Sequence, residues 1–429
     1  MPLNDYTRDQ LITEARKLTE AFRRFQDANL KLDLTRGKPS TAQLDLSNGM
    51  GPILLEQCFL EDGTDLRNYG GLNGIPAARK LGATMLGLHA NEVIAADNAS
   101  LTLMYLYILW AYHFGPLGAG TAWRDEGDVK FIAIVPGYDR HFSVCEEIGI
   151  EMVTATFAED GPDMDVVEEL VSKDSSIKGI WCVPKYSNPT GHVYSSEVVD
   201  RLAVLGRMAG PNFRVIWDNA YGTHDLHPEQ APALANIMER CRHYGTEDFV
   251  VQIASTSKIT VAGGGISFLG GSKPNLDTFR KRLAIMTIGP NKLNQQRHVN
   301  FLKDFGGLQA HMRRHAEILR PKFAMVQQRL EDGLGGKELA TWSNPQGGYF
   351  VAVDVMPGLA AKIISMAGEA GVKLTPAGAT FPYRRDPEDC NIRIAPSFPP
   401  VEELELAMQV FVNCVELTSV QQRLKEIGG

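Results

Sequence analysis

Leu11, Ala15, Leu18, Phe22 and Phe25 recur at helical spacing with charged residues between them, so an amphipathic helix is predicted near the start of the chain. Residues 32–39, LDLTRGKP, then read as a short extended segment turning at Gly37 and Pro39. From about residue 50 the texture changes. Short apolar runs appear at 131–135 (FIAIV), 179–183 (GIWCV), 213–217 (FRVIW), 249–254 (FVVQIA) and 266–270 (ISFLG), most of them separated by helix-compatible stretches. A strand covered on both faces has this unbroken apolar character, so the alternation predicts a mainly parallel α/β sheet flanked by helices. The run at 266–270 follows its predecessor too closely for a crossover helix and is expected to join antiparallel. After about residue 305 a long polar helix, roughly 308–332, leads to GGYFVAVDV, VKLTPAG and NIRIAPSF. These read as strands of a smaller α+β lobe, closed by a helix from about residue 401.

A chain of 429 residues is long enough for a large core and two domains. The balance of 43 basic against 51 acidic residues gives −8, which argues against a nucleic-acid partner. It does not keep anionic substrates from a locally cationic cleft. Six scattered cysteines without a Cys-x-x-Cys pair argue against a disulfide framework or a zinc site and favour a reducing cytoplasm. The stretch MPLNDYTRDQ lacks the basic-then-apolar order of a signal peptide. The most apolar helical run, 101–114, is too short to span a bilayer, so no membrane partner is expected.

Candidate chemistry begins at IASTSKIT, 253–260, where Lys258 stands among hydroxyl residues at the end of an apolar run. A strand-end lysine beside anion-binding hydroxyls is how a protein holds pyridoxal phosphate as a Schiff base, although Ser-x-x-Lys strings are common and most lysines are solvated. Two upstream strings change the odds: SNPTG at 187–191 and WDNAY at 217–221. The steps between key residues, 218 − 188 = 30 and 258 − 218 = 40, each leave room for a helix and a return strand. NIRIAPSF, 391–398, adds a cation further on. This set, in its order and spacing, resembles the fold type I pyridoxal-phosphate aminotransferases of the aspartate-aminotransferase-like class I/II group, from about residue 32 to 398.

The resemblance implies a large cofactor-binding domain over 51–305 with a seven-stranded type of sheet, and a small discontinuous domain from 1–50 and 306–429. Lys258 would be the covalent anchor and proton shuttle, and Asp218 the partner of the cofactor's pyridinium N–H. Tyr221 and Asn188 would hydrogen-bond the phenolate edge, and Tyr138 in VPGYDRH would stack on the ring. Ala99 and Ser100, where a polar turn opens the 101–114 helix, would offer N–H groups to the phosphate. Ser255 matches the family's phosphate-binding hydroxyl, with Ser257 as an addition, and Tyr69 the tyrosine that reaches the phosphate across a homodimer interface. Arg393 would clamp the substrate α-carboxylate through its planar fork, beside the side-chain-free Gly37. No metal is implied. Cis peptide bonds are implied before Pro136 and Pro189. One departure stands out: where many members carry a phosphate-pairing arginine eight residues after the lysine, this chain has Ile266.

Each of these residues also has a plainer reading. Asp218 could be a turn or N-cap aspartate, Asn188 is a turn residue in any case, and Arg393 could serve a structural ion pair. The leading expectation is an aminotransferase working by a ping-pong cycle on aspartate or glutamate with 2-oxoglutarate. A distal carboxylate needs a second cation, for which Arg36, Arg140, Lys292 and Arg297 are candidates. An aromatic or broad-specificity aminotransferase, or a pyridoxal-phosphate lyase on the same scaffold, are alternatives. A ligand-sensing regulator is a third, opposed by the acidic charge and the mere 50 or so residues before the α/β region.

Overall fold

The computed structural model describes residues 2–428. Its large sheet runs in the order Val93–Ala95, Ser267–Gly271, Val250–Ser255, Arg214–Asp218, Ile177–Cys182, Lys130–Val135, Glu151–Ala158 and Gly161–Pro162. The five strands from Val250–Ser255 to Glu151–Ala158 are mutually parallel. Ser267–Gly271 joins antiparallel, as its close spacing required. Seven strands have three to eight residues, and the eighth is the two-residue edge strand Gly161–Pro162. The central strands are buried because helices cover both faces; Arg214–Asp218 is buried at every position.

Strand order decides where a site can form. The chain passes from Lys130–Val135 outward to Glu151–Ala158, then returns to Ile177–Cys182 on the other side. Connections therefore diverge between Lys130–Val135 and Ile177–Cys182, opening a crevice beyond the carboxyl ends of the parallel strands. Tyr138, Asn188, Asp218 and Ser255 all lie at or just after those ends. The implied cis bonds, Val135–Pro136 and Asn188–Pro189, are both present.

A second group of elements faces this edge. Ala340–Trp342, Val351–Val355 and Asn391–Ile394 form a three-stranded antiparallel sheet. Leu32–Asp33 pairs parallel with Val372–Lys373. The helix Arg8–Asp27, opened by a Thr7–Gln10 capping box, buries Leu11, Leu18 and Phe22. These join one apolar cluster with Leu319, Phe323 and Val326 of Phe305–Leu334 and Val410, Phe411 and Cys414 of Val401–Gly428.

Candidate active site

A cavity of about 460 Å³ opens between the crevice and the smaller sheet, and Gly37, Tyr138, Asn188, Tyr221, Lys258 and Arg393 all line it. Lys258 lies in the turn that follows Val250–Ser255, with its Nζ 4.9 Å from the centre of the Tyr221 ring. Its backbone oxygen accepts hydrogen bonds from Tyr349 Oη at 3.2 Å and His224 Nε2 at 3.4 Å. Tyr349 is in turn tied to Gln43 and through it to His315, so the lysine's main chain is anchored to three segments. Burial drives the Tyr221 hydroxyl well above its usual range, reinforced by the nearby Asp218 charge. Burial likewise pushes the Tyr138 hydroxyl up to about 12. Both phenols are therefore neutral hydrogen-bond donors at neutral pH.

Asp218 does not line the cavity; it ends its strand, buried beneath the cavity floor. Oδ2 meets His141 Nε2 at 3.0 Å, whereas Oδ1 is buried without any hydrogen-bond partner among the described residues. A desolvated carboxylate oxygen left unpaired is costly, which is the condition a cationic N–H donor would relieve. His141 itself is stacked on Trp181, with ring centres 4.2 Å apart and planes 9° from parallel. Sequence reading missed His141. Its signal was available: it lies one helical turn after Tyr138, the cap residue of the helix Asp139–Ile148.

Ala99 caps the helix Ser100–Phe114. Ser257 Oγ donates to Asn98 O at 3.0 Å, and Gly265 N donates to Asn98 Oδ1 at 2.7 Å. The Ser255–Lys258 turn and the start of that helix are thus adjoining, although Ala99 lines a separate cavity of about 200 Å³ and Ser100 and Ser255 line neither. A Cβ at Gly265 would come within 2.9 Å of the Ser257 nitrogen, so this backbone approach requires glycine. Ile266 is buried in a cluster with Ile75, Ala254 and Phe268, a setting that has no room for an arginine.

Arg393 is 5% exposed on its strand, with Nη1 at 3.1 Å from Asp139 Oδ1 and 3.2 Å from Asn188 Oδ1. A Cβ on Gly37 would approach the Phe350 ring to 2.5 Å, and that ring lies under the Arg393 guanidinium. Of the distal-cation candidates, Arg36 and Arg140 line the cavity, as do Lys38 and Arg384, which the sequence reading did not single out. Lys292 instead donates to the carbonyls of Asn68, Tyr69 and Gly70, and Arg297 to those of Met50 and Gly51. Tyr69 stands apart from the cavity, 82% exposed. No group of side chains suited to a metal ion occurs among the described residues.

Comparison with known proteins shows the family. The family profile described as aspartate amino-transferase matches residues 6–426. An aspartate aminotransferase of Corynebacterium glutamicum is 44% identical over 420 residues, 98% of this chain and 96% of the relative. The crystal structure of an aspartate transaminase from the same organism superposes with a TM-score of 0.94 at 43% identity, covering 98% of this chain and 99% of that one. An α-aminoadipate aminotransferase of Thermus thermophilus, solved with N-(5′-phosphopyridoxyl)-L-leucine, shares the fold at a TM-score of 0.72 and 19% identity, over 92% and 93% of the two chains. The chain belongs to the aspartate aminotransferase family, as a fold type I enzyme. It is an aminotransferase of the aspartate-transaminase-like kind.

Proposed function

We propose that the chain is a pyridoxal-phosphate-dependent aminotransferase that exchanges amino groups between aspartate or glutamate and 2-oxoglutarate. The observation that carries this reading is the convergence of Lys258, Tyr221, Asn188 and Arg393 on one cavity above a buried carboxylate with a free oxygen. When bound, pyridoxal phosphate supplies an electron sink for charge developing at the substrate α-carbon. Asp218 Oδ1 would hold its ring N–H, and the contact with His141 fixes that carboxylate's orientation. Tyr221 and Asn188 would donate to its phenolate oxygen, and Tyr138 would cover the ring. With no arginine at position 266, the phosphate would rest on the N–H groups of Ala99 and Ser100 and the hydroxyls of Ser255 and Ser257.

Lys258 provides the amine that anchors the cofactor and moves the proton at the substrate α-carbon. Arg393 binds the α-carboxylate and, resting on the Phe350 ring that Gly37 admits, orients the C–H bond for that transfer. Arg36, Lys38, Arg140 and Arg384 make the cavity favourable for a second carboxylate, which supports a dicarboxylic substrate. Residues 51–305 would form the cofactor-binding unit and residues 1–50 with 306–429 the second unit, a division supported by the apolar cluster that the latter two stretches share.

A homodimer is also part of the proposal. Leu55, Phe59, Tyr69, Ile285 and Ile288 are exposed large apolar residues, and the close approach of Gly70 to Gly289 brings the Tyr69 and Ile288 segments together. Such a patch is unusual on a monomer, and it would carry Tyr69 toward the partner's site. The test is a panel of amino donors with 2-oxoglutarate, scoring glutamate formed. Aspartate should rank among the best donors; no glutamate from any donor would end the reading.

A further inference from the structure

We propose that Asp139 is a resident carboxylate that occupies the Arg393 clamp until a substrate carboxylate displaces it, and so sets how tightly substrate is held. The inference rests on the role of Arg393 given above. A guanidinium has five N–H donors, and a carboxylate docks on it through two at once. Both Nη1 hydrogens are engaged, by Asp139 Oδ1 at 3.1 Å and Asn188 Oδ1 at 3.2 Å. Nε points to Thr375 Oγ1 at 3.4 Å. Nη2 alone has no hydrogen-bond partner among the described residues, so two-pronged docking must reclaim a donor already in use.

The partners differ in how firmly they are held. Thr375 is buried, and its hydroxyl donates to Thr35 O at 2.8 Å, which pins it. Asn188 is buried at the Asn188–Pro189 turn. Asp139 is the first residue of its helix, its side chain is one-third exposed to the cavity, and Arg393 is its sole hydrogen-bond partner there among the described residues. It is therefore the partner free to leave. Four cations, Arg36, Lys38, Arg140 and Arg384, line the same cavity against one other carboxylate, Glu146, so a displaced Asp139 stays in a favourable field. While it remains on Arg393, the clamp is neutralised and discriminates against stray anions. The apparent substrate affinity is then lowered by the fraction of molecules in which the clamp is taken.

The test is titration of the cofactor-loaded protein with maleate and with acetate, followed by calorimetry, beside steady-state kinetics with L-aspartate. Asp139→Asn should bind both anions more tightly, by about threefold or more for a partly exposed ion pair, and should lower KM with kcat retained. Asp139→Ser should act in the same direction. Asp139→Glu, which keeps the charge, should stay near wild type. Unchanged or weaker anion binding in the two neutral variants would make Asp139 an orienting group for Arg393 and overturn the proposal. Tighter binding in Asp139→Glu would also overturn it, since charge competition could not then be the cause. The wild-type donor panel stands apart from this outcome: a wild type that transaminates while Asp139→Asn fails to gain affinity rejects only the present inference.

Discussion

Arg393 and Lys258 are assigned different partners, substrate and cofactor, and that difference separates their expected phenotypes. Arg393 is fixed by Asn188, Asp139 and Thr375, all through its planar fork. Lysine at that position keeps a charge but not the geometry, so Arg393→Lys should lose one or two charged hydrogen bonds of roughly 1.5–3 kcal/mol each. Half-reactions should show kcat/KM reduced at least about tenfold, with the cofactor still bound. Lys258→Ala should instead abolish the covalent cofactor adduct trapped by borohydride, read by peptide mapping; an adduct on another lysine would dismiss the anchor assignment. The residues legible in the sequence were those embedded in distinctive strings, such as Lys258 in IASTSKIT and Asp218 in WDNAY. His141 and Asp139 were not, although both lie beside Tyr138 in the string VPGYDRH. Their importance depends on which side chain from a distant strand or lobe arrives opposite them, and spacing along the chain does not encode that.

At the level of elements, apolar runs located five strands and overlooked Glu151–Ala158, which buries only Met152 and Ala155. It lies next to the sheet edge with one face open, so it never shows the continuous apolar character used to find its neighbours. Val93–Ala95 was too short to register. Within the parallel sheet, Gly179 pairs with Phe131, whose ring fills the space a Cβ would take. Gly179→Ala should therefore overpack the sheet and cost about 1–3 kcal/mol, measurable by urea unfolding. The helix Phe305–Leu334 carries a different liability. Burial lowers the imidazoles of His311 and His315, the latter to about 3, and His224 nearby is also lowered to about 3. An unfolded chain takes these protons near pH 6.5 whereas the folded protein refuses them, so stability present above that pH is lost as pH falls below it. Tm should drop between pH 7 and 5, and His315→Gln should flatten the decline; a Tm independent of pH over that interval would contradict it.

For the whole molecule, the exposed apolar surface around Ile285 and Tyr69 predicts a particle of twice 47.2 kDa by sedimentation. Ile285→Glu should shift that particle toward the monomer and reduce activity with it, because a buried unpaired charge at an interface is strongly disfavoured. The separate three-stranded sheet beyond residue 305 was readable from the change of texture there, whereas the docking of the first helix was expected from family resemblance alone, since its apolar stripe names no partner. That docking has a consequence in time. Leu11, Leu18 and Phe22 share their cluster with Val401–Gly428, and the gap is 401 − 27 = 374 residues. At about 5–20 residues per second, the ribosome delivers the last partner roughly 20–75 s after the first helix has emerged. For that interval an amphipathic helix waits with its apolar stripe incompletely matched, open to chaperones or to a neighbouring nascent chain. A chain released before residue 401 never ends the wait, and it should accumulate in the insoluble fraction.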